Sequence, residues 1–205
     1  MKLYKYKNYQ EYKEKQIDGY KKKEKNSWVD INAIKYLVAP YIARYNPAVS
    51  FGLCHGTRRG LEQQAFIDGL IGKNATVIGT EIAPGASKKY SNTIEWDFHN
   101  VKDEWNGNVD FIYSNALDHS YKPEECLDAW MSCLNEKGLC IIEWTPAHGE
   151  SASSKLDPYG ASYEEYIQML RKKYQLVDTI AILASSKYAA TIFRHRRRYL
   201  IIKNK

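Results

Sequence analysis

The sequence contains no apolar run long enough to cross a lipid bilayer, and it has only four cysteines. The lysine-rich start is not followed by the apolar stretch and cleavage site of a secretory leader, so a cytoplasmic protein without a membrane span is expected. The cysteines also lack the CxxC pairing that zinc sites use. Reduced, buried thiols are therefore predicted, with neither disulfides nor structural zinc, at Cys54, Cys126, Cys133 and Cys140.

The rest of the composition fits one packed domain. The chain has 205 residues, of which 44% are apolar and 13% aromatic, which is ample for a core of that size. The net charge of +6 comes largely from residues 1–25 and from the run Arg194-His195-Arg196-Arg197-Arg198. Such runs are more often solvated faces, although they can also meet phosphates or an acidic surface. Charge alone therefore does not predict nucleic-acid binding.

Two segments precede the main pattern, and residues 1–46 are expected to form a helical arm or lid beside a domain at 47–205, within one compact unit. Residues 1–25 alternate lysine and tyrosine, which predicts a weakly amphipathic helix or a mobile arm. A firmer helix is predicted from Ser27, because Ser-x-x-Asp30 resembles a capping box and apolar residues follow at helical spacing. Asn46-Pro47 is expected to end it.

Short apolar segments then alternate with amphipathic ones. Strands are predicted at 49–54, 76–81, 93–96, 109–114, 139–143, 176–184 and 199–203. Helices are predicted at 59–71, 123–134 and 162–174. This alternation predicts an α/β fold with a parallel sheet covered on both faces, whose ligands bind beyond the carboxyl ends of the strands at a topological switch point.

The loops after the first three of these strands carry candidate ligand groups. The first, Cys54-His55-Gly56-Thr57-Arg58, contains a glycine that permits close approach of the backbone, and the free amides at the start of the helix that follows would favour an anion. Glu81 ends the second strand, where a carboxylate can accept hydrogen bonds from the two hydroxyls of a ribose. Asp97 ends the third, where it could accept from an adenine amino group beside Phe98. Each feature also has a purely structural interpretation, as a tight turn or a solvated strand end.

The segment between Asp110 and Glu143 is more specific. It reads Asp110-Phe-Ile-Tyr-Ser-Asn-Ala-Leu-Asp-His-Ser120, and later Leu134-Asn-Glu-Lys-Gly-Leu-Cys-Ile-Ile-Glu143. This resembles the segment after the fourth strand of class I, Rossmann-like S-adenosylmethionine-dependent methyltransferases, in which a Leu-x-His turn, a helix and a glycine-marked turn lead to the fifth strand. The resemblance covers roughly residues 48–145, and the two closing strands resemble the family's antiparallel hairpin.

The resemblance implies a Rossmann-like, mostly parallel sheet with an antiparallel C-terminal strand, and an enzyme that uses S-adenosyl-L-methionine and releases S-adenosyl-L-homocysteine. The cofactor-binding residues it implies are Cys54, His55, Gly56, Thr57, Arg58, Glu81, Ile82, Asp97, Phe98 and Asn115. The first loop departs from the family's usual Gly-Cys-Gly-Thr-Gly, because only its central glycine and threonine are kept. Arg58, which replaces a glycine, could pair with the cofactor's carboxylate, reach a substrate anion or lie on the surface.

Methyl transfer mainly requires an aligned acceptor, and an alcohol acceptor also needs a base. Asp118 and His119 follow the fourth strand of the family pattern, and His148 follows the fifth, so these three are the catalytic candidates. A histidine at the position of His119 can instead shape the cofactor pocket. Together with Glu150 these residues could gather a divalent cation, but no spacing signature enforces a metal site and none is favoured.

The acceptor is predicted to be a saccharide or another small hydroxylated molecule. No separate substrate domain is evident, so the N-terminal helices, the loop before the last strand and a mobile lid at 146–160 that contains Tyr159 would select it. RNA ribose or cap methylation is the alternative enzyme, with the basic runs holding phosphates. The Asn/Asp-Pro-Pro-Tyr-like tetrapeptide of base-amine methylation is replaced by Ser114-Asn115-Ala116-Leu117.

Two further classes remain open. A nicotinamide-dependent oxidoreductase would need a fuller Gly-x-Gly-x-x-Gly turn than this sequence has. The second class is a non-catalytic binding module that kept the fold, because the motif in the first loop is altered.

Overall fold

The computed structural model describes residues 1–183 and 196–205, and its largest element is a seven-stranded sheet. The strands are β1 (Lys2–Leu3), β2 (Phe51–His55), β3 (Thr76–Glu81), β4 (Thr93–Glu95), β5 (Val109–Ser114), β6 (Leu134–Trp144), β7 (Tyr159–Gly160), β8 (Gln175–Leu183) and β9 (Arg196–Lys203). The helices are α1 (Tyr9–Lys23), α2 (Ile31–Ala33), α3 (Ala39–Tyr45), α4 (Leu61–Gly69), α5 (Ala86–Lys89), α6 (Pro123–Cys133) and α7 (Tyr163–Lys173). A π-helical stretch (Ile34–Val38) joins α2 to α3.

The strand order in the sheet is β4-β3-β2-β5-β6-β9-β8. Strands β2 to β6 pair in parallel, whereas β9 is antiparallel to both of its neighbours. The predicted mostly parallel sheet with an antiparallel C-terminal strand is thus confirmed. Because β2 lies between β3 and β5, the strand order reverses there, and the carboxyl ends of these three strands form the switch point at which such sheets bind ligands.

Each face of the sheet is covered by helices, because the strands direct alternate side chains to opposite sides. In β5, Phe111 and Tyr113 pack with Phe66 of α4, whereas Ile112 packs with Trp130 of α6 and Leu170 of α7. Full burial of one such aromatic or aliphatic side chain is worth about 1.5–3 kcal/mol. All four cysteines lie buried in these cores.

The predicted and observed element boundaries agree best in the sheet. The strands at 76–81 and 109–114 occur at the predicted residues. The capping box at Ser27 is wrong, because the helix begins at Ile31 and Asp30 caps it by accepting a hydrogen bond from the amide of Ala33 at 3.1 Å. The helix ends at Tyr45, directly before the predicted Asn46-Pro47 stop.

The first residues pack against the carboxyl edge of the sheet. Helix α1 buries Tyr12, Gln16 and Tyr20 there, and β1 pairs with β7. The predicted lid at 146–160 therefore contains two 3-10 turns and the paired strand β7. Tyr159 is buried with its hydroxyl 3.5 Å from the sulfur of Met169, so its ring is not available to an acceptor.

The basic run near the end of the chain is only partly described. Ala184 of a predicted strand, and Arg194 and His195 of the run, lie outside the described residues. Arg197 is buried, where it pairs with the Glu143 carboxylate, so it belongs neither to a solvated face nor to a phosphate-binding surface. No helix in the described part of the chain has the length and apolar character of a membrane-spanning segment.

Candidate active site

Two adjoining cavities lie at the carboxyl edge of the sheet. Counted together with the open solvent at their mouths, the first spans about 530 Å³ and the second about 1250 Å³. The residues they share are Lys23, Gly56, Arg58, Ala116 and His119. The first cavity adds Tyr12, Gln16, Gly19, Tyr20, Glu81, Ile82, Asp97 and Phe98, and the second adds Asn26, Ser27, Trp28, Asn115, Asp118, Ala147, His148 and Asp157.

Glu81 ends β3 at the wall of the first cavity and is buried. Its carboxylate accepts hydrogen bonds from the backbone amides of Arg58 at 3.0 Å and Ala83 at 3.3 Å. Burial raises the pKa of Glu81, and the two amide hydrogen bonds oppose that rise. A carboxylate has about four acceptor positions, so two remain for the hydroxyls of a ribose.

The loop after β2 bends sharply at Gly56. This residue has a φ of +71°, and an added Cβ would lie 2.6 Å from the Cβ of Ala116. Glycine is therefore needed where this loop approaches the loop after β5. Arg58 also has a left-handed φ of +47°, which costs a non-glycine residue on the order of 1 kcal/mol. Arg58 thus adopts a left-handed backbone conformation that glycine adopts more readily.

The backbone amides of the loop itself are already paired within the protein. The amides of Gly56 and Thr57 donate to the carbonyl of Thr80, at 3.0 and 3.1 Å, and the amide of Arg58 donates to Glu81. The next two amides donate to the Thr57 carbonyl. Positive charge at the shared wall comes instead from the side chains of Arg58 and Lys23.

Two of the predicted cofactor residues point their side chains away from both cavities. Cys54 is in the core beside Phe66, and the His55 ring packs 5.0 Å from Trp130. Nδ1 of His55 lies 2.9 Å from the Thr80 hydroxyl, and burial lowers the pKa of His55 to about 3. Of the five loop residues 54–58, only Gly56 and Arg58 line the two cavities. Cys54, His55 and Thr57 could therefore contribute to a cofactor site mainly through their backbone.

Asp97 follows β4 and is tied to the protein on both oxygens. Oδ2 accepts a hydrogen bond from the Tyr9 hydroxyl at 2.7 Å, and Oδ1 accepts from the His99 amide at 3.0 Å and lies 2.7 Å from His99 Nδ1. Burial favours the neutral acid, but the hydrogen bonds from His99 and Tyr9 prevail and lower the pKa of Asp97. About one acceptor position remains for an adenine amino group, beside Ile82 and Phe98.

Asp118 and His148 face each other in the second cavity. His148 Nε2 lies 3.9 Å from Asp118 Oδ2, and the His148 ring stacks near Trp28 with 6.0 Å between ring centroids. Burial raises the pKa of Asp118 to about 6 and lowers that of His148 to about 4. Asp118 Oδ1 has no hydrogen-bond partner among the described residues. A buried carboxylate oxygen left in this state is a ready acceptor for a polar ligand.

His119 stands at the wall between the cavities. Its Nδ1 lies 3.0 Å from Gln16 Oε1, and its Nε2 lies 3.4 Å from Asp157 Oδ1. Lys23 Nζ contacts the same Asp157 oxygen at 3.2 Å. Atoms of Asp118, His119 and Asp157 lie within 4.8 Å of one another, which is close enough for a cation, but the Lys23 ammonium already supplies positive charge to Asp157.

The structure therefore changes the membership of the site. Glu150, which the sequence placed with a possible cation, lines neither cavity and contacts the Met1 amine. Asp157 lies beside Asp118 and His119 where Glu150 was expected, and helix α1 contributes Gln16 and Lys23 to the cavity walls. Sequence reasoning missed these three residues, although the near-helical spacing of polar and aromatic residues in α1 was a signal that this helix has a buried face.

No family model and no curated protein matches the sequence. Among solved structures, the chain is similar to the Burkholderia thailandensis 1,6-didemethyltoxoflavin-N1-methyltransferase with bound 1,6-didemethyltoxoflavin and S-adenosylhomocysteine. That match has a TM-score of 0.72 and 12% identity, and it covers 98% of this chain and 92% of that chain.

Two further structures extend the comparison. A chain of the Haloferax volcanii complex that contains the Trm112 methyltransferase activator matches with a TM-score of 0.68 and 15% identity, over 94% of this chain and 97% of that one. The CurJ carbon methyltransferase matches with a TM-score of 0.64 and 12% identity, over 85% of this chain and 54% of that one. Identities this low establish the architecture alone. The chain has the Rossmann-like fold of class I S-adenosylmethionine-dependent methyltransferases.

Proposed function

We propose that this protein is a methyltransferase that uses S-adenosyl-L-methionine and methylates an oxygen of a saccharide or another small hydroxylated molecule. The observation that carries the proposal is the pair of cavities that meet at one wall. One cavity has the carboxylates that a nucleoside needs, and the other contains two histidines and two aspartates. A donor and an acceptor held on either side of this wall would be brought together for transfer.

The residues of the first cavity fit the cofactor. Glu81 has two open acceptor positions for the ribose, Asp97 has about one for the adenine amino group, and Ile82 and Phe98 offer apolar contact to the ring. The Arg58 guanidinium, on the wall toward the second cavity, would pair with the amino-acid carboxylate. When bound, the cofactor supplies an electrophilic methyl group.

The second cavity fits a hydroxylated acceptor. Asp118 and Asp157 can accept hydrogen bonds from hydroxyls, Asn115 can donate and accept, and Trp28 offers an aromatic face. His119 borders both cavities, so we assign it as the base that takes the proton of the acceptor hydroxyl. His148 would bind the acceptor together with Asp118, because burial keeps His148 neutral at pH 7.

The acceptor atom is proposed from these side chains and not from the similar structures. By their names, those proteins include an N1-methyltransferase and a carbon methyltransferase. RNA methylation has less support, since the buried pairing of Arg197 with Glu143 removes one arginine from the basic run that would hold phosphates.

Calorimetric titration with S-adenosylmethionine and S-adenosylhomocysteine, with NADH as a control, tests the cofactor. Glu81→Gln should weaken cofactor binding by about 10- to 100-fold, because a ribose hydroxyl that donated to the carboxylate would then meet an amide. Transfer of a labelled methyl group to a panel of saccharides, small alcohols and RNA then tests the acceptor. Absence of binding by wild-type protein would favour a non-catalytic module, and labelling of RNA alone would replace the acceptor class.

A further inference from the structure

Helix α1 contacts three residues of the candidate site through side chains spaced seven apart. The Tyr9 hydroxyl donates to Asp97, Gln16 Oε1 lies 3.0 Å from His119, and Lys23 Nζ lies 3.2 Å from Asp157. Seven residues are close to two helical turns, so these positions lie in one row along the helix, about 21 Å from end to end. The helix is therefore aligned with the site along its whole length.

The middle contact has a fixed direction. The Gln16 side chain is buried, and its other end lies 3.2 Å from the carbonyl oxygen of Leu156. A carbonyl oxygen can only accept, so the amide nitrogen of Gln16 faces Leu156 and the amide oxygen faces His119. The Gln16 oxygen and the Asp157 carboxylate both can only accept, so they compete for the single proton of the neutral His119 ring. The contact at Nδ1, 3.0 Å, is a hydrogen bond and is shorter than the 3.4 Å contact at Nε2, so the geometry favours the proton on Nδ1.

This tautomer leaves Nε2 of His119 as the nitrogen that can take a proton. Nε2 points to Asp157, whose carboxylate at 3.4 Å would stabilise the imidazolium that forms. Lys23 holds Asp157 in that position. Gln16 thus orients the His119 ring, and Asp157 faces the positive charge that develops on that ring. Gln16 is itself held by the carbonyl of Leu156, and Asp157 is held by Lys23.

We infer that Gln16 is a positioning residue, which fixes the Nδ1–H tautomer of His119 so that Nε2 serves as the base of methyl transfer. The inference rests on the proposed function. In the transfer, the acceptor oxygen bonds to the methyl carbon while the carbon–sulfur bond breaks and its electron pair stays on sulfur. The hydroxyl proton moves to His119 Nε2.

The tautomer can be measured without cofactor or acceptor. Two-bond ¹⁵N–¹H correlation spectra of the whole chain, at a pH where His119 is neutral, separate the Nδ1–H and Nε2–H forms, and a His119→Asn spectrum assigns the signal. Wild-type protein should show the Nδ1–H form. Gln16→Met, which keeps the length but loses the acceptor, should lose that preference, whereas Gln16→Glu should keep it. Gln10→Met is the matched control, because Gln10 is exposed on the same helix and bonds only Glu14 among the described residues.

Turnover gives the second measurement. Gln16→Met should lower kcat by about 10- to 100-fold, the usual cost of losing a residue that orients a functional histidine, with a smaller loss in Gln16→Glu and none in Gln10→Met. An Nε2–H form in the wild type, or an unchanged tautomer and kcat in Gln16→Met, would overturn the inference. Failure to bind S-adenosylmethionine would instead overturn the proposed function, while the spectra would still decide the role of Gln16.

Discussion

The two ends of strand β5 carry buried aspartates that the protein treats in opposite ways. At the amino end, Asp110 accepts five hydrogen bonds at 2.8–3.2 Å. Burial would favour its neutral form, but these donors prevail and lower the pKa of Asp110. The donors are the Ser50 amide and hydroxyl, the Phe51 amide, and the side-chain amides of Asn46 and Asn135.

Just beyond the carboxyl end, Asp118 is buried to a similar degree without comparable donors. One of its oxygens has no partner in the described ranges, and burial raises its pKa to about 6. A protein gains stability by satisfying a buried carboxylate, and it gives up stability when it leaves one open. Asp110 therefore stabilises the fold, whereas Asp118 keeps an acceptor oxygen unpaired within the described residues, which supports its proposed role in binding a ligand.

Removing the satisfied carboxylate should have the largest effect. Asp110→Ala leaves two backbone amides and two side-chain amides without their acceptor, so the free energy of unfolding should fall by about 2–4 kcal/mol. Urea denaturation measures it, with the exposed Asp103→Ala as the control expected to stay within about 0.5 kcal/mol. A loss below 1 kcal/mol for Asp110→Ala would mean that the two ends of β5 do not differ as described.

Removing the charge of the unsatisfied carboxylate should act in the opposite direction. Because the folded-state pKa of Asp118 lies above its unfolded value of about 3.9, ionisation destabilises the fold, and the penalty grows from about pH 4 to pH 6. Asp118→Asn should therefore be more stable than wild type by about 1–3 kcal/mol above pH 6, and this difference should shrink toward pH 4. Under the proposed function, methyl transfer should also fall.

Urea titrations of both proteins between pH 4 and pH 8 measure this difference. A variant that is less stable than wild type at pH 8 would show that Asp118 is as well satisfied as Asp110.

The smallest effect is expected at Asp97, another carboxylate at the carboxyl edge of the sheet. Tyr9→Phe removes the hydroxyl that donates to Asp97 Oδ2 and so frees an acceptor position for the adenine amino group. Binding of S-adenosylhomocysteine should become tighter by about 2- to 5-fold, roughly the worth of one exchanged hydrogen bond. Calorimetry measures it, and weaker binding would show that Tyr9 supports the cavity without competing for Asp97.

The sequence predicted those parts of the fold whose signals are local. Strands β3 and β5 are apolar runs with clear ends, and Glu81 lies at the end of its strand as expected. The cap of the second helix was misassigned, because Ser27 and Asp30 are both good cap residues and only the packed helix decides between them.

The residues that complete the site were beyond sequence reasoning for a different reason. Gln16 and His119 are 103 positions apart, and Lys23 and Asp157 are 134 apart. No local pattern encodes such pairs, since they depend on how α1 crosses the sheet. Arg197 was likewise hidden inside a charge run, and only its burial separates it from the arginines on either side.

Arg58 has a consequence for how distant relatives of such folds are recognised. The loop needs a left-handed backbone at this position, and an arginine adopts it while its amide bonds Glu81 and its guanidinium bonds the carbonyl of Asn26 at 3.2 Å. The left-handed dihedral angle is thus present here without the glycine that adopts it most readily. Searches written as residue patterns will overlook chains of this kind, whereas searches written in backbone angles will retain them.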